Sequence, residues 1–203
     1  MKCPQLGDPP DPRDIIDVFS PVLGDPFHAM DRPKVSIRQD LKKSYYVAFM
    51  NAWLIWDDNL MNELRTRMAE TGLSEEDIDA ELFYNPSLFK GCVDRHVPPP
   101  SILYWRVRAV FVTFGNMVDE STGRPLFNAA AWKRAKNLLT EIRAGLYSDP
   151  PGMKMYTYKM EKGRIKLNKY GMKMIECMRG TNRQVKRKKS ILLHLPTHRF
   201  RQN

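Results

Sequence analysis

Asp25 stands three residues ahead of His28 in "GDPFHAMDR", Gly24 to Arg32. A carboxylate at the end of a core strand can hold a divalent cation. Hard oxygen ligands suit Mg²⁺ or Mn²⁺, and a pair of such ions activates water and stabilises a leaving oxygen in phosphodiester chemistry. His28, one helical turn on, would reach the same region. The same letters also spell a helix start, because Asp25 precedes Pro26, and proline is favoured at the first helical position. Read alone, the stretch favours the cap.

A second stretch, "MRGTNRQVKRKK", runs from Met178 to Lys189. Thr181 or Asn182 can cap a short helix. Lys186, Arg187, Lys188 and Lys189 form a basic run flanked by Arg179 and Arg183. Phosphate neutralisation needs this density of cations, and so does a nuclear-import signal. Both readings rank ahead of an inert solvated tail. The distribution of charge supports them: of 203 residues, 33 are Lys or Arg and 23 Asp or Glu, a net charge of +10. Residues 153–203 hold 15 of those cations and only Glu161 and Glu176, hence +13, whereas residues 1–152 sum to −3. That asymmetry points to a nucleic-acid-facing or a nuclear-import tail, and with it to a nuclear location.

Other constellations carry less. His194 and His198 have zinc-finger spacing, but no CxxC precedes them and Pro196 separates them. Cys92 and His96 lack partners. No GxGxxG, GxxxxGK[ST], HExxH or GxSxG is present. Three scattered cysteines argue against a disulfide framework and for a reducing compartment. No apolar run reaches membrane-spanning length, and the first residues lack the apolar segment of a signal peptide. The aromatic groups "AWLIWDD" and "LYWRVRAVFVTF" have the spacing of core faces rather than of base-stacking platforms.

The elements that would position these residues follow from periodicity and punctuation. Residues 1–13, rich in Pro, Gly and Asp, read as a linker or disordered. "IIDVFSPVLGD" reads as one or two short buried strands broken at Pro21. A helical block spans about 41–144. Tyr45, Phe49, Ala52, Trp53 and Trp56 form its first apolar face. Asp57 to Asn59 cap a helix over Leu60 to Ala69, and Ser74 with Asp77 opens the next as an acidic capping box. "NPSLFKGCVDRHVPPP" reads as a loop. Ser101 is expected to cap a helix through Met117, with Leu103, Val107, Val110, Phe111 and Phe114 inward. Asn128 starts another, stopped by Gly145. Alternating residues around Glu161-Lys162-Gly163 predict a β-hairpin within about 153–178, with a further strand from Met172. Residues 183–203 form a basic tail.

Taken together, "VLGDPFHAMDR", "GLYSDPPG" and "YGMKMIECMRGTNR", in that order, resemble transposon-derived proteins with an RNase H-like, DDE-type transposase core. The resemblance spans about Ile15 to Arg183. It implies that Asp25 matches the second catalytic carboxylate, a metal ligand, and His28 the histidine associated with it. Gly180, Thr181 and Asn182 match the triplet that precedes the final catalytic Glu. That Glu has no counterpart, since no acidic residue follows Glu176. Asp11, Asp14 and Asp17 lie too close to Asp25 to be the first catalytic Asp. Two-metal phosphoryl transfer needs at least three converging carboxylates.

The expectation is therefore a mainly α chain with small β elements (α+β), with residues 14–182 as a fragment of an RNase H-like core carrying a large helical insertion. Its function would be that of a degenerate, catalytically inactive transposase relative that binds DNA through its basic C-terminal region. No cofactor is required; Asp25 would give at best a weak Mg²⁺ or Mn²⁺ contact. One alternative is a metal-dependent nuclease or 3′–5′ exonuclease of the same superfamily, with His28 and Asp31 as base and ligand. Another is a non-enzymatic helical interaction module with a nuclear-import tail.

Overall fold

The computed structural model describes residues 3–20, 23–35, 40–120 and 122–179. It has seven α-helices and six short strands among them: α1 (Pro26–Met30), α2 (Asp40–Trp53), β1 (Ile55–Trp56), α3 (Asp58–Ala69), α4 (Glu75–Tyr84), α5 (Ser87–Lys90), β2 (Arg95–His96), α6 (Pro100–Phe114), α7 (Ala129–Arg143), β3 (Tyr156–Tyr158), β4 (Met160–Glu161), β5 (Arg164–Ile165) and β6 (Ile175–Cys177). The mixture of helices with small sheets agrees with the α+β expectation. The sheets are three antiparallel pairs, β1 with β2, β3 with β6 and β4 with β5.

Three helices make the main core. The face of α2 predicted from spacing is buried at Tyr45, Phe49, Ala52 and Trp53. It meets Leu103, Val107 and Phe111 of α6, which in turn pack on Ala135, Leu138 and Ile142 of α7. Aromatic rings interlock at the centre: Tyr45 stacks on Phe49 at 5.3 Å, and Phe49 meets Phe111 at 5.1 Å. Asn128 caps α7 by accepting from the Ala131 N–H. A second, smaller core gathers Leu64, Met68, Ile78, Cys92, Val93 and Met172. Asp57 caps α3, and Ser74 and Asp77 form the expected reciprocal box at α4.

Five local expectations give way to tertiary packing. Residues 15–20 and 23–25 form no strand. They cross the exit of α7, where Ser20 N–H donates to Gly145 O and Gly24 N–H to Leu146 O. Residues of the expected N-terminal linker are packed instead: Cys3 and Leu6 are buried in the main core. Trp56 leaves the α2 face, because the helix ends at Trp53 and the chain turns into β1. The expected loop over 85–100 contains α5 and β2, and β2 pairs with β1 through Ile55–His96 and Trp56–Arg95. Finally, α6 begins at Pro100, not after Ser101, and ends at Phe114. The Ser101 N–H donates to the Asp17 carboxylate at 3.0 Å, so the cap comes from a distant segment.

The hairpin turns at Lys162-Gly163, with φ of 49° and 77°, the paired left-handed geometry of a two-residue hairpin loop. β6 then returns alongside β3, Tyr156 opposite Cys177. Ile175 N–H donates to Gly91 O at 2.8 Å, which fixes this β unit to the second core.

Candidate nucleic-acid interface

Asp25 sits at the N-terminus of α1, not at the end of a strand. One carboxylate oxygen accepts from the Phe27 N–H at 2.9 Å, and the other meets His28 Nδ1 at 2.8 Å. The His28 side chain is 71% exposed. Both oxygens of Asp25 are thus engaged locally. Among the described residues no group of three or more His, Cys, Asp or Glu is placed to hold a metal ion. The strand-end carboxylate required by the sequence expectation is corrected to a helix cap, because Pro26 pre-sets the helical φ and the freed N–H groups need an acceptor.

Arg179, expected as a phosphate-binding cation, is turned inward. Its side chain is 5% exposed, and Asp149, with which it pairs, is 10% exposed. Nε donates to Asp149 Oδ1 at 3.0 Å, Nη2 donates to Oδ2, and Nη1 donates to Arg95 O at 3.0 Å. Burial alone would lower the guanidinium pKa, but the charge and hydrogen bonds of Asp149 outweigh it and hold the group above its ordinary value. Arg179 is therefore a clamp. It fastens the end of the β unit to the β1–β2 pair, and its correction follows from bidentate pairing between two nearly buried side chains. Gly180, Thr181, Asn182, Arg183, Lys186, Arg187, Lys188 and Lys189 lie outside the described residues, as do His194 and His198.

The clamp borders a cleft of about 760 Å³ between β2, residues 149–155 and β3. Asp57, Asp94, His96, Lys154 and Tyr156 line it together with Phe19 and Met155. Val97 N–H donates to Asp149 at 2.8 Å. Asp94 is half-buried, and its Oδ1 has no hydrogen-bond partner among the described residues. Burial first, and the neighbouring Asp57 charge second, push its pKa up, while Arg179 opposes them. Opposite charges balance in this cleft, so it does not select an anion by charge.

The surface of the β unit carries an excess of cations instead. Lys154, Lys162, Arg164 and Lys173 are exposed and Lys159 is half-buried, and among the described residues none of the five forms an ion pair. Two further cations are paired, Lys166 with Glu161 at 3.3 Å and Lys169 with Glu81 at 2.7 Å. Lys173 also lies 5.2 Å over the Tyr158 ring. These lysines are absent from the motif-based site, which stopped at the densest basic run. Their signal was the regular recurrence of Lys and Arg through the predicted hairpin.

No family model matches the chain, no curated protein matches its sequence, and no solved structure matches its fold. Among the described residues no helix is long and apolar enough to cross a membrane.

Proposed function

We propose that the chain is a nucleic-acid-binding protein without strand-cleaving or strand-joining chemistry of its own, acting on DNA through the β unit and the basic run at Lys186–Lys189, in the nucleus. The observation that carries this reading is the set of five cations on the β unit that form no ion pair among the described residues, in the same 51-residue segment, 153–203, whose net charge is +13. Unneutralised cations at this density bind phosphate by releasing its counterions. Descent from an RNase H-like, DDE-type transposase accounts for the Asp25/His28 and Gly180-Thr181-Asn182 patterns within the same proposal. Asp25 is spent on its cap, which is consistent with an inactive descendant.

The test is duplex binding as a function of salt. The parent is expected to bind duplex DNA with an affinity that falls steeply with salt. Replacing Lys186, Arg187, Lys188 and Lys189 by Ala is expected to reduce the log–log salt slope by about 3–4, near 0.9 per lost phosphate contact. A parent that ignores duplex DNA overturns the reading, as does Mg²⁺- or Mn²⁺-dependent cleavage that Asp25→Asn abolishes.

A further inference from the structure

A second groove, of about 770 Å³, lies between the outer face of α2, α5 and the β1–β2 pair. It holds four cations, Lys42 and Lys43 from α2, Lys90 from the end of α5 and Arg95 from β2, and among the described residues no acidic side chain lines it. Among the described residues none of the four forms an ion pair. Aromatic rings alternate with these charges. The Arg95 guanidinium lies 4.7 Å over the Trp56 ring, whose edge contact with Phe89 is at 4.9 Å and 76°. Lys42 Nζ lies 5.8 Å over the Tyr46 ring. The same helix face leaves Val47 54% exposed and Met50 39% exposed.

This combination differs from the β unit. Cations alone track phosphates in any nucleic acid. Cations interleaved with half-buried rings also offer flat surfaces for bases, and only an unpaired strand has base faces free to use them. The volume lies in the range of ordinary ligand cavities. Trp56 is available because the chain leaves the helix at Trp53, which places one tryptophan of "AWLIWDD" in the core and the other in the groove.

We propose that this groove binds single-stranded nucleic acid, with phosphates on Lys42, Lys43 and Lys90 and bases against Tyr46 and the Arg95–Trp56 stack. The site is separate from the duplex-binding surface above and stands or falls independently of it.

The experiment uses the full chain carrying the four Ala substitutions at Lys186–Lys189, so that binding by that run does not mask the groove. The probe is a labelled oligothymidylate of about twelve nucleotides, read by anisotropy and by tryptophan fluorescence. Binding is expected to persist in this background, to quench tryptophan emission, and to weaken at least about tenfold in Lys43→Glu/Lys90→Glu, two exposed sites whose exchange is expected to leave the melting curve unchanged. The quench is expected to disappear in Trp56→Phe, which keeps a ring in place. Equal binding by the Lys43→Glu/Lys90→Glu variant overturns the proposal. So does equal affinity for an abasic oligonucleotide of the same length, which would reduce the site to phosphate attraction, or equally tight binding of poly-glutamate, which would make the partner an acidic protein. A parent chain that ignores duplex DNA, alongside single-strand binding that persists here, would sink the duplex-binding proposal and leave this one standing.

Discussion

Asp25 has two conceivable duties, and two substitutions separate them. Asn caps a helix about as well as Asp, whereas Ala supplies no acceptor. Asp25→Ala is expected to cost about 1 kcal/mol in denaturant unfolding, for the lost bond to the Phe27 N–H, and Asp25→Asn only a few tenths. Neither change should alter the response of the melting temperature to Mg²⁺ or Mn²⁺. A carboxylate that held a metal would instead make the Asn variant lose a metal-dependent rise in melting temperature. The exposed His28 ring adds a local contact to the cap. Arg179 teaches the complementary point. A cation next to a basic run reads as part of the run, yet its side chain has found a buried carboxylate 30 residues back in the chain.

Among the elements, the turn after α7 is the one most constrained by its surroundings. Gly145 has φ of 72°, a left-handed conformation that suits glycine, and a Cβ there would lie 2.1 Å from the Val18 carbonyl oxygen. The glycine therefore does more than stop a helix. It lets residues 15–20 lie close against the α7 exit, where the Ser20 N–H donates to Gly145 O and the Gly24 N–H to Leu146 O. Gly145→Ala is expected to destabilise the fold by about 2–4 kcal/mol, the sum of a disfavoured φ and a backbone clash, as measured by urea unfolding. A loss under about 1 kcal/mol would mean that the segment is free to move away. The N-termini of α3, α4 and α7 need no such neighbours, because each cap is made by side chains adjacent in sequence.

At the scale of the molecule, charge is divided between a surface that collects cations and a cleft that balances them. Asp94 records the cost of that balance. Its folded-state pKa is raised, by burial first, so folding binds its proton more tightly than the unfolded chain does. Its contribution therefore favours the fold at low pH and is lost as pH rises from the ordinary aspartate value, near 3.9, through the folded value. Asp94→Asn is accordingly expected to raise the melting temperature at pH 7, and the gain should vanish on acidification below about pH 4. A gain of the same size at every pH would show that packing, not charge, was responsible. The basic surface is mostly exposed, and under the proposed function its signature would be a dependence on salt instead of pH.

Much of this molecule was set by its sequence. The apolar face of α2, the cap residues Asp57, Ser74 and Asn128, the Lys162-Gly163 turn and the uneven charge all depend on neighbours a few positions away or on composition, so periodicity and turn chemistry reveal them. What depended on residues far apart did not show. Asp17 caps a helix 84 residues later, Arg179 clamps Asp149, and residues 15–20 lie over a helix exit instead of forming a strand. Sequence placed Trp53 and Trp56 on one helical stripe. Only the tertiary structure sent the first into the core and the second to a basic groove, because α2 stops at Trp53 so that β1 can pair with β2, and the pairing brings Arg95 onto the Trp56 ring.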